Sequence, residues 1–378
     1  MVDLGEQVIT SRFPAIGDTS TPKTPICLVL CRGCGLVQLR DLVSGSEMYE
    51  HMYGYRSGLN EMMRSHLAEY SAELQTMVTL QPGDAVLDIG SNDATFLSNY
   101  PSTLRRIGCD PTGRQFEEHY KNMEIVPTYF TQSSVPNVKY KAVSSISMFY
   151  DLPNPIQFAR DIYSVLADDG VWTLEQSYLG TMIEQNSIDT ICHEHVEYYG
   201  LCQIKRIMDA ANLKIRKVSK NTCNGGSFRI YVAKRESAYL EADVSTWMSE
   251  EAYLSDPQTY RDFIGRCDVE VAKLKKFLST HLTYVYGAST KGNCLLQYAN
   301  ITPSIVPYAV ERNPLKFGKM TSTGIPIVSE EFMRLSPPEA MLVLPWHFKD
   351  AIVKREAEFL RQGGKLVFPF PVFEVVGE

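Results

Sequence analysis

Short apolar segments that alternate with helical patterns are the feature that most limits the fold of this chain. Apolar runs recur at 85–90, 105–110, 142–149 and 171–178. The segment 155–170 has helical spacing and ends on Gly170, a residue type favoured just after a helix. Strands that alternate with helices form parallel sheets covered by helices. The sequence therefore predicts an α/β, Rossmann-like fold, with a further helix at 93–100.

The chain is long enough for several domains, because its 378 residues exceed what one hydrophobic core usually serves. Residues 59–79 have the spacing of an amphipathic helix, and a second α/β run begins at 283. The predicted division is a β-rich module at 1–58 with a hairpin at 26–43, a Rossmann-like domain at 59–235, a helical connector at 236–280 and a second Rossmann-like domain at 281–378.

Composition excludes several classes of protein. Hydrophobic residues make up 44% of the chain, and 37 Lys and Arg face 44 Asp and Glu, so no nucleic-acid partner is expected. The sequence has no long apolar run and no signal-peptide pattern, so neither membrane insertion nor export is expected. The nine cysteines are then expected to be reduced thiols in the cytoplasm. A monomer or small homo-oligomer is expected.

The clearest ligand-binding signal is the turn after the first predicted strand, in VLDIGSNDATFL (86–97). Gly90 has no Cβ to keep the backbone from a ligand. The second glycine of a dinucleotide motif is missing, and Asp88 and Asp93 favour the sulfonium and ammonium of S-adenosyl-L-methionine (SAM). Asp110 ends the next strand and can accept hydrogen bonds from ribose hydroxyls. The residues predicted to contact SAM are Asp88, Gly90, Ser91, Asn92, Asp93, Asp110, Pro111, Met148 and Phe149.

A second candidate site is the segment DTICHEHVEYYG (189–200), which concentrates titratable side chains. On a helix, His193 and His195 would point in nearly opposite directions, so the pattern does not fit a zinc protease. On a strand the two histidines would share a face and Glu194 would point away. Such a cluster often marks a functional site, but a solvated loop with one histidine capping a helix explains it equally well.

Six motifs in order, DIGSND, MFYDLP, EQSY, DTICHEHVEYY, NGGSFR and GASTKGN, carry a family resemblance. The chain resembles the SAM-dependent C-methyltransferases that act on nucleotide-linked keto-deoxysugars, such as those that make branched 3-C-methyl sugars. The resemblance implies three parts: a small zinc-binding N-terminal module, a central SAM-binding fold and a second Rossmann-like domain. The nucleotide sugar would lie between the last two.

The resemblance also implies the catalytic roles. The base that removes the proton next to the sugar ketone matches His195, and Glu194 matches the acid beside it. Cys192 stands where the family often has a tyrosine. The donor to the ketone oxygen is therefore open among His193, Tyr198 and Tyr199, and a packing role for His193 is favoured over direct catalysis.

Further positions follow from the same resemblance. Tyr53, Tyr55 and Ser57 match a segment that covers the SAM and sugar pocket. The positions implied to contact the substrate are Tyr53, Asn224, Arg229, Lys291 and Asn293, and the last two would hold the nucleotide diphosphate. Asn224 replaces the histidine usual in the family.

The N-terminal module departs from the family pattern, which uses two cysteine pairs for zinc. Only Cys31 and Cys34 form a pair here, and two thiolates do not complete a structural zinc site. The module therefore resembles a truncated zinc ribbon. Either zinc is absent, or the chain start omits ligands, or Cys27 and His51 complete the set.

Two other functions fit the same sequence. A SAM-dependent O- or N-methyltransferase for a sugar or small metabolite would use the same SAM loop, with a base that deprotonates a hydroxyl or amine. A non-catalytic SAM-binding protein would need only the loop. Methyl transfer to a keto-sugar nucleotide separates these alternatives.

Overall fold

The computed structural model describes residues 2–18, 21–44, 48 and 55–377, and the chain forms three β-sheets within these ranges. The strands in chain order are β1 Val2–Val8, β2 Lys23–Leu30, β3 Val37–Leu39, β4 Ala85–Ile89, β5 Arg105–Cys109, β6 Glu124–Val126, β7 Tyr140–Ile146, β8 Leu166–Ser177, β9 Glu197–Tyr198, β10 Leu213–Asn221, β11 Ser227–Lys234, β12 Thr283–Tyr286, β13 Ala309–Glu311, β14 Ile327–Ser329, β15 Ala340–Val343, β16 Lys365–Phe368 and β17 Glu374–Val376.

Helices connect and cover these sheets. In chain order they are α1 Glu61–Met77, α2 Pro155–Val165, α3 Leu179–Glu184, α4 Leu201–Ala210, α5 Ser245–Glu250, α6 Pro257–Leu278, α7 Thr290–Tyr298, α8 Glu330–Leu335, α9 Lys349–Arg355 and α10 Ala357–Arg361. The amphipathic helix predicted at 59–79 is α1. In the described part of the chain, no helix is long and apolar enough to cross a membrane.

The central sheet has the order β10-β11-β8-β7-β4-β5-β6. Strands β8, β7, β4, β5 and β6 are parallel, and β11 pairs antiparallel with both β8 and β10. The strand order reverses direction at β4, so β4 and its neighbour β7 form the topological switch point of the sheet. Ligands of such sheets bind outside the carboxyl ends of the strands at this point.

Two predicted helices are wrong in part. Helix α2 ends at Val165 and β8 begins at the next residue, so Gly170 lies inside a strand and caps no helix. The apolar residues after Val165 pair with β7, and this tertiary pairing overrides the local helical spacing. The helix predicted at 93–100 is only a 3₁₀ turn, Leu97–Asn99, in the described structure.

The second α/β run forms its own sheet, in the order β14-β13-β12-β15-β16-β17, parallel except for β17. The N-terminal sheet, β1-β2-β3-β9, includes the predicted hairpin and takes β9 from the central part of the chain. Apolar residues of this small sheet, such as Ile26 and Val37, pack into one core with α6 and the C-terminal sheet. The exact domain boundaries stay a prediction.

Asn293 links the N-terminal and C-terminal parts of this shared core. Its amide nitrogen donates to the Thr10 carbonyl at 2.7 Å, and its amide oxygen accepts from the Ser322 N–H at 3.1 Å. Asn293 is 1% exposed, so its amide does not reach solvent. These bonds give Asn293 a structural role, and its contact with a diphosphate stays a prediction, because the amide keeps a second N–H and a second lone pair.

We expect Asn293→Ala to lower the free energy of unfolding by about 1–3 kcal/mol, because buried backbone groups lose their partners. Urea unfolding followed by fluorescence measures the change. Gln362→Ala is the matched control, since this amide bonds only an exposed side chain, that of Glu358. Equal midpoints for the two variants would contradict the linking role.

Candidate active site

The turn after β4 has the geometry of a close ligand approach. Gly90 has φ of +75° and Asn92 has φ of +48°, so the chain reverses sharply at the switch point. A Cβ on Gly90 would lie 3.0 Å from Met148 Cγ, in the loop after β7. A side chain at residue 90 would therefore be strained and crowded, which explains the glycine.

Asp110 at the end of β5 orders this turn. Its carboxylate accepts hydrogen bonds from the Asn92 N–H at 2.8 Å and from the Thr112 N–H at 2.7 Å. The Tyr120 hydroxyl donates to the Asn92 carbonyl at 2.8 Å and fixes the turn from the other side. A carboxylate has about four acceptor positions, so Asp110 can order the turn and still accept from a ligand hydroxyl.

The two other carboxylates predicted to face SAM have protein partners. Asp88 is buried within the sheet, and the Ser144 hydroxyl donates to it at 2.5 Å. Burial raises the pKa of Asp88 to about 7. Asp93 pairs with Arg56 at 3.0 Å and accepts from the Thr95 hydroxyl at 2.5 Å. Both carboxylates therefore have protein partners, and their contact with the sulfonium and ammonium stays a prediction, because each keeps further acceptor positions.

The covering segment predicted from the resemblance contacts the turn. The Ser57 N–H donates to the Asn92 side-chain oxygen at 3.0 Å, and the Asn92 amide donates to the Tyr55 carbonyl at 3.1 Å. Tyr53 and His51 lie outside the described residues. Among the remaining predicted contacts, Ser91 is buried and bonds Tyr120, Pro111 is exposed, and Met148 packs on Gly90.

Phe149 does not face this turn with its side chain. It is fully buried, and its ring lies 5.6 Å from that of Trp172 and 5.6 Å from that of Tyr199. It therefore belongs to the core of the central sheet, and the expectation that its side chain contacts SAM is corrected.

A charged network that the sequence analysis missed lies on β8 next to the covering segment. Glu175 accepts from Arg229 at 2.7 Å and from Asn221 at 2.8 Å, and it contacts His66 Nε2 at 2.5 Å. Burial opposes protonation of His66, but Cys223 and Glu175 outweigh it and raise the pKa to about 10. The segment LEQSY around Glu175 has the pattern of an ordinary strand. The sequence does not reveal the network, because His66 is supplied by α1, far away along the chain.

Arg229 belongs to this network, and its predicted contact with substrate stays a prediction. Besides Glu175 it pairs with Glu73 at 2.5 Å, and its guanidinium lies 3.6 Å from the centre of the Tyr70 ring. His66, Glu175 and Cys223 form the one group in the described part of the chain that could together ligate a metal. Since Arg229 and Asn221 already satisfy Glu175, we interpret the group as a charge-balanced network.

The His-Glu-His segment is neither strand nor helix at residues 191–196, and each of its three polar side chains has a different setting. His195 Nδ1 lies 2.7 Å from the Thr190 carbonyl, so this nitrogen carries a proton and Nε2 is left as the basic atom. The ring lies 4.2 Å from that of Tyr150. His195 lines a small cleft with Tyr150, Ser177, Tyr178, Thr190, Glu197 and Tyr198.

The protein around this cleft shifts the pKa values of the side chains that line it. Burial alone would lower the pKa of His195, but Cys192 and the Thr190 carbonyl outweigh it and hold the pKa above its ordinary value. Burial raises the pKa of Glu197 to about 8 and that of Tyr198 well above its ordinary range. Tyr198 therefore keeps its phenolic proton. Tyr150 and Glu197 are cleft residues that the sequence analysis did not single out.

Three predicted catalytic residues lie away from the cleft. His193 is fully buried with Nε2 3.0 Å from the Thr24 carbonyl. Glu194 accepts from the Thr10 hydroxyl at 2.8 Å and from the Ser11 N–H at 3.1 Å. Tyr199 is buried and donates to Glu197. Each therefore has a partner in the protein interior, which fits the packing role expected for His193, and the catalytic roles of Glu194 and Tyr199 stay predictions.

Lys291 and Asn224, predicted to contact substrate, come together across the gap between the central and C-terminal sheets. Lys291 lies in the first turn of α7 and donates to the Asn224 carbonyl at 2.8 Å. Its charge also lowers the pKa of the neighbouring His347. The positive charge of Lys291 also acts on His195, where it lowers the pKa.

The cysteine pair forms a tight turn after β2. The Gly35 N–H donates to the Cys31 carbonyl at 2.8 Å, and the Cys31 N–H donates to the Leu36 carbonyl at 2.8 Å. Backbone N–H groups and the Cys34 thiol lower the pKa of Cys31, as in a turn that holds a thiolate. Cys27 is buried within β2. In the part of the chain that the structure describes, no third ligand joins Cys31 and Cys34.

Family models match nearly the whole chain in three segments. Residues 59–218 match a "Methyltransferase domain", residues 222–371 a "C-methyltransferase C-terminal domain" and residues 1–49 a "Putative zinc binding domain". The C-methyltransferase NovU of Streptomyces niveus is 25% identical over 93% of this chain and 87% of the relative.

Two solved structures each resemble less than half of this chain. A SAM-dependent methyltransferase from Clostridium acetobutylicum is 8% identical, covering 45% of this chain and 92% of its own, with a TM-score of 0.37. The plantazolicin methyltransferase BpumL, solved with S-adenosylhomocysteine, is 12% identical, covering 47% and 86%, with a TM-score of 0.38. Similarity at this level carries no argument about function.

The fold and the family models together define a SAM-dependent methyltransferase. More narrowly, the chain belongs to the C-methyltransferases, as the C-terminal model and the relative indicate. The predicted fold class and cofactor are thereby confirmed. The residues at the switch point fit SAM, because the turn at Gly90 admits close backbone approach and Asp110 offers an acceptor beside it.

We expect Asp110→Ala to weaken SAM binding by about 1.5–3 kcal/mol, the scale of lost charge-assisted hydrogen bonds. Both the ligand contact and the order of the turn are removed. Calorimetry with S-adenosylhomocysteine measures the affinity, and Glu118→Ala is the control because its side chain is 79% exposed. Unchanged affinity would remove Asp110 from the site.

We expect the purified chain to carry well under one zinc per molecule, because a closed structural site needs four ligands and Cys31 and Cys34 supply two. Elemental analysis after dialysis measures the ratio, and a Cys31→Ser, Cys34→Ser variant gives the background. A ratio near one in the wild type alone would show further ligands, with Cys27 and His51 the first to test.

Proposed function

We propose that this enzyme methylates the carbon next to the ketone of a nucleotide-linked keto-deoxysugar, in branched-sugar biosynthesis, with His195 as the base. The observation that carries the proposal is the setting of His195, whose Nδ1–H is held by the Thr190 carbonyl while the ring borders the cleft. A methyl group added to carbon needs a carbanion, and a ketone makes the neighbouring proton removable as an enolate.

The hydrogen bond to Thr190 determines which nitrogen acts. With the proton on Nδ1, the lone pair of Nε2 is free to take a proton from a substrate carbon in the cleft. Histidine suits the task because its pKa lies near the working pH. The same bond fixes the ring orientation, and the Tyr150 ring supports it from one side.

The enolate oxygen needs a donor, and Tyr198 supports this role best. Its hydroxyl lines the cleft and already accepts a hydrogen bond from the Cys192 N–H at 3.4 Å, so its own proton is available to donate. Because burial raises the pKa of Tyr198, the phenol stays protonated. Stabilising charge as it develops is usually a large contribution to catalysis.

The nucleotide part of the substrate has support at the gap beside the cleft. Lys291 supplies a positive charge at the first turn of α7, and helix N-termini favour anions such as a diphosphate. The sugar-nucleotide assignment also rests on the resemblance carried by NGGSFR and GASTKGN.

SAM supplies the methyl group as an electrophile when it is bound at the switch point. The protein contributes position: the turn at residues 90–95 and the segment that covers it fix the cofactor side, and His195 and Tyr198 fix the acceptor side. Holding two reactants in a suitable geometry can by itself supply much of the rate.

We expect the wild type, with a keto-sugar nucleotide and S-adenosylhomocysteine in D₂O, to exchange one hydrogen next to the ketone for deuterium. Methyl transfer cannot occur, so exchange reports proton removal alone. His195→Asn should reduce exchange on the order of 10²–10⁴-fold. Since His195 must be unprotonated and its pKa is raised, exchange should fall as the pH drops through a value above the ordinary 6.5.

The control for this experiment is the affinity for S-adenosylhomocysteine, which His195→Asn should leave unchanged. The matched control substitution is His281→Asn. This histidine lies just after α6 and stacks on Phe277. A wild type that binds the sugar nucleotide without exchange would contradict the enolate route. Exchange that persists in His195→Asn would reject His195 as the base and leave the reaction standing.

A further inference from the structure

Buried polar atoms without partners lie at two 3₁₀ turns that contact each other, Ile188–Thr190, whose last carbonyl holds His195, and Trp346–Phe348. Ser187 Oγ, Asp189 Oδ1 and His347 Nδ1 have no hydrogen-bond partner among the residues that the structure describes. Ser187 is 4% exposed and Asp189 is 1% exposed, so bulk solvent does not supply the missing hydrogen-bond partners. Proteins leave few buried polar atoms unpaired, and such groups indicate a ligand or ordered water.

Gly225 and Trp346 lie among these three residues. A Cβ on Gly225 would lie 3.8 Å from Ser187 Oγ, 3.9 Å from His347 Cβ and 3.6 Å from the Trp346 ring. Gly225 has φ of +88°, so a residue with a side chain would be strained at this position. The Trp346 indole N–H donates to the other oxygen of Asp189 at 2.9 Å and holds the carboxylate in place.

We propose that Ser187, Asp189 and His347 form a subsite that hydrogen-bonds hydroxyl groups of the substrate's sugar ring and thereby selects among keto-sugar nucleotides. The inference rests on the proposed function, which it deepens by naming the part of the substrate that is recognised. Ser187 and His347 lie outside the motifs that carry the resemblance, and Asp189 opens the motif DTICHEHVEYY without a role assigned to it there.

The position of the subsite suits the sugar ring. Asp189 directly precedes Thr190, whose carbonyl holds His195 at 2.7 Å, so the short 3₁₀ turn Ile188–Thr190 connects the subsite with the base. Lys291 donates to the carbonyl of Asn224, the residue before Gly225, and so borders the subsite from the C-terminal half. A ring whose reacting carbon lies at His195 therefore has its other positions near Asp189.

The charge of the subsite suits hydroxyls better than phosphates. Burial and the nearby Lys291 lower the pKa of His347 to about 3, so the imidazole is uncharged at neutral pH. Asp189 offers an acceptor oxygen that repels an anion, and Ser187 can donate or accept. None of these three side chains carries a positive charge at neutral pH, so the diphosphate is left to Lys291. Neutral hydroxyls satisfy all three atoms.

The test compares three probes in the thymidine- and guanosine-diphosphate series. They are a nucleoside-diphosphate keto-6-deoxyhexose, its analogues lacking one further ring hydroxyl, and the nucleoside diphosphate alone. Affinity is measured by calorimetry with S-adenosylhomocysteine present, and exchange is measured in D₂O. Because a site built to bond a hydroxyl rejects the analogue without it, the wild type should prefer the hydroxylated sugar on the order of 10²-fold or more in exchange efficiency.

Ser187→Ala and Asp189→Asn should each reduce that preference at least tenfold and leave the affinities for nucleoside diphosphate and S-adenosylhomocysteine within about twofold. Ser304→Ala, at an exposed serine of the C-terminal half, should keep the full preference. If Asp189→Asn fails to bind S-adenosylhomocysteine, its fold is damaged and the test rests on Ser187→Ala. That variant leaves the hydrogen bond from Trp346 to Asp189 intact.

Variants that weaken every sugar and the nucleoside diphosphate equally would overturn the subsite, since the three residues would then bind the phosphates or only support the fold. Intact exchange with unchanged preference would also overturn it, while leaving the proposed function standing. A wild type that binds S-adenosylhomocysteine but no keto-sugar nucleotide would reject the proposed function, and the subsite with it.

Discussion

The irregular segment that carries His195 depends on hydrogen bonds from outside its own sheet. Glu194 accepts from Thr10 and Ser11 of the N-terminal part, and His193 bonds the Thr24 carbonyl. A segment without helix or strand bonds needs other partners for its buried polar groups. The N-terminal module therefore has a direct structural role: it holds the segment on which the proposed base, the cleft and the hydroxyl subsite are built.

The carboxylates near the cofactor site also depend on partners within the protein. Asp88, Asp93, Asp110 and Glu175 gather at or near the carboxyl ends of neighbouring strands, where repulsion alone would destabilise the turn. Each has a protein partner: Ser144 for Asp88, Arg56 for Asp93, the Asn92 N–H for Asp110 and Arg229 for Glu175. Buried carboxylates are tolerated when hydrogen bonds or counter-charges replace water. The turn is therefore rigid before any ligand arrives.

Sequence patterns and the fold diverge where long-range pairing competes with local spacing. Residues 155–170 have helical spacing throughout, yet Leu166 and Val171 pair with β7 and the helix ends at Val165. Arg229 and Asn293 occupy motif positions that the resemblance connects with substrate, but both bond the interior. A motif records which residue types recur together. It does not record whether their polar atoms are already committed.

The sequence by itself determined the strand and helix alternation, the turn at Gly90 and the acidic end of β5, because these depend on residues within a few positions of one another. Only the tertiary structure decided which of the clustered histidines meets the cleft. It also decided that Asn293 joins residue 10 and that Trp346 and Gly225 bring Ser187, Asp189 and His347 together. These contacts join positions up to 283 residues apart, and no local period relates such positions. Burial and pairing are properties of the packed chain, so they appear only when the sheets come together.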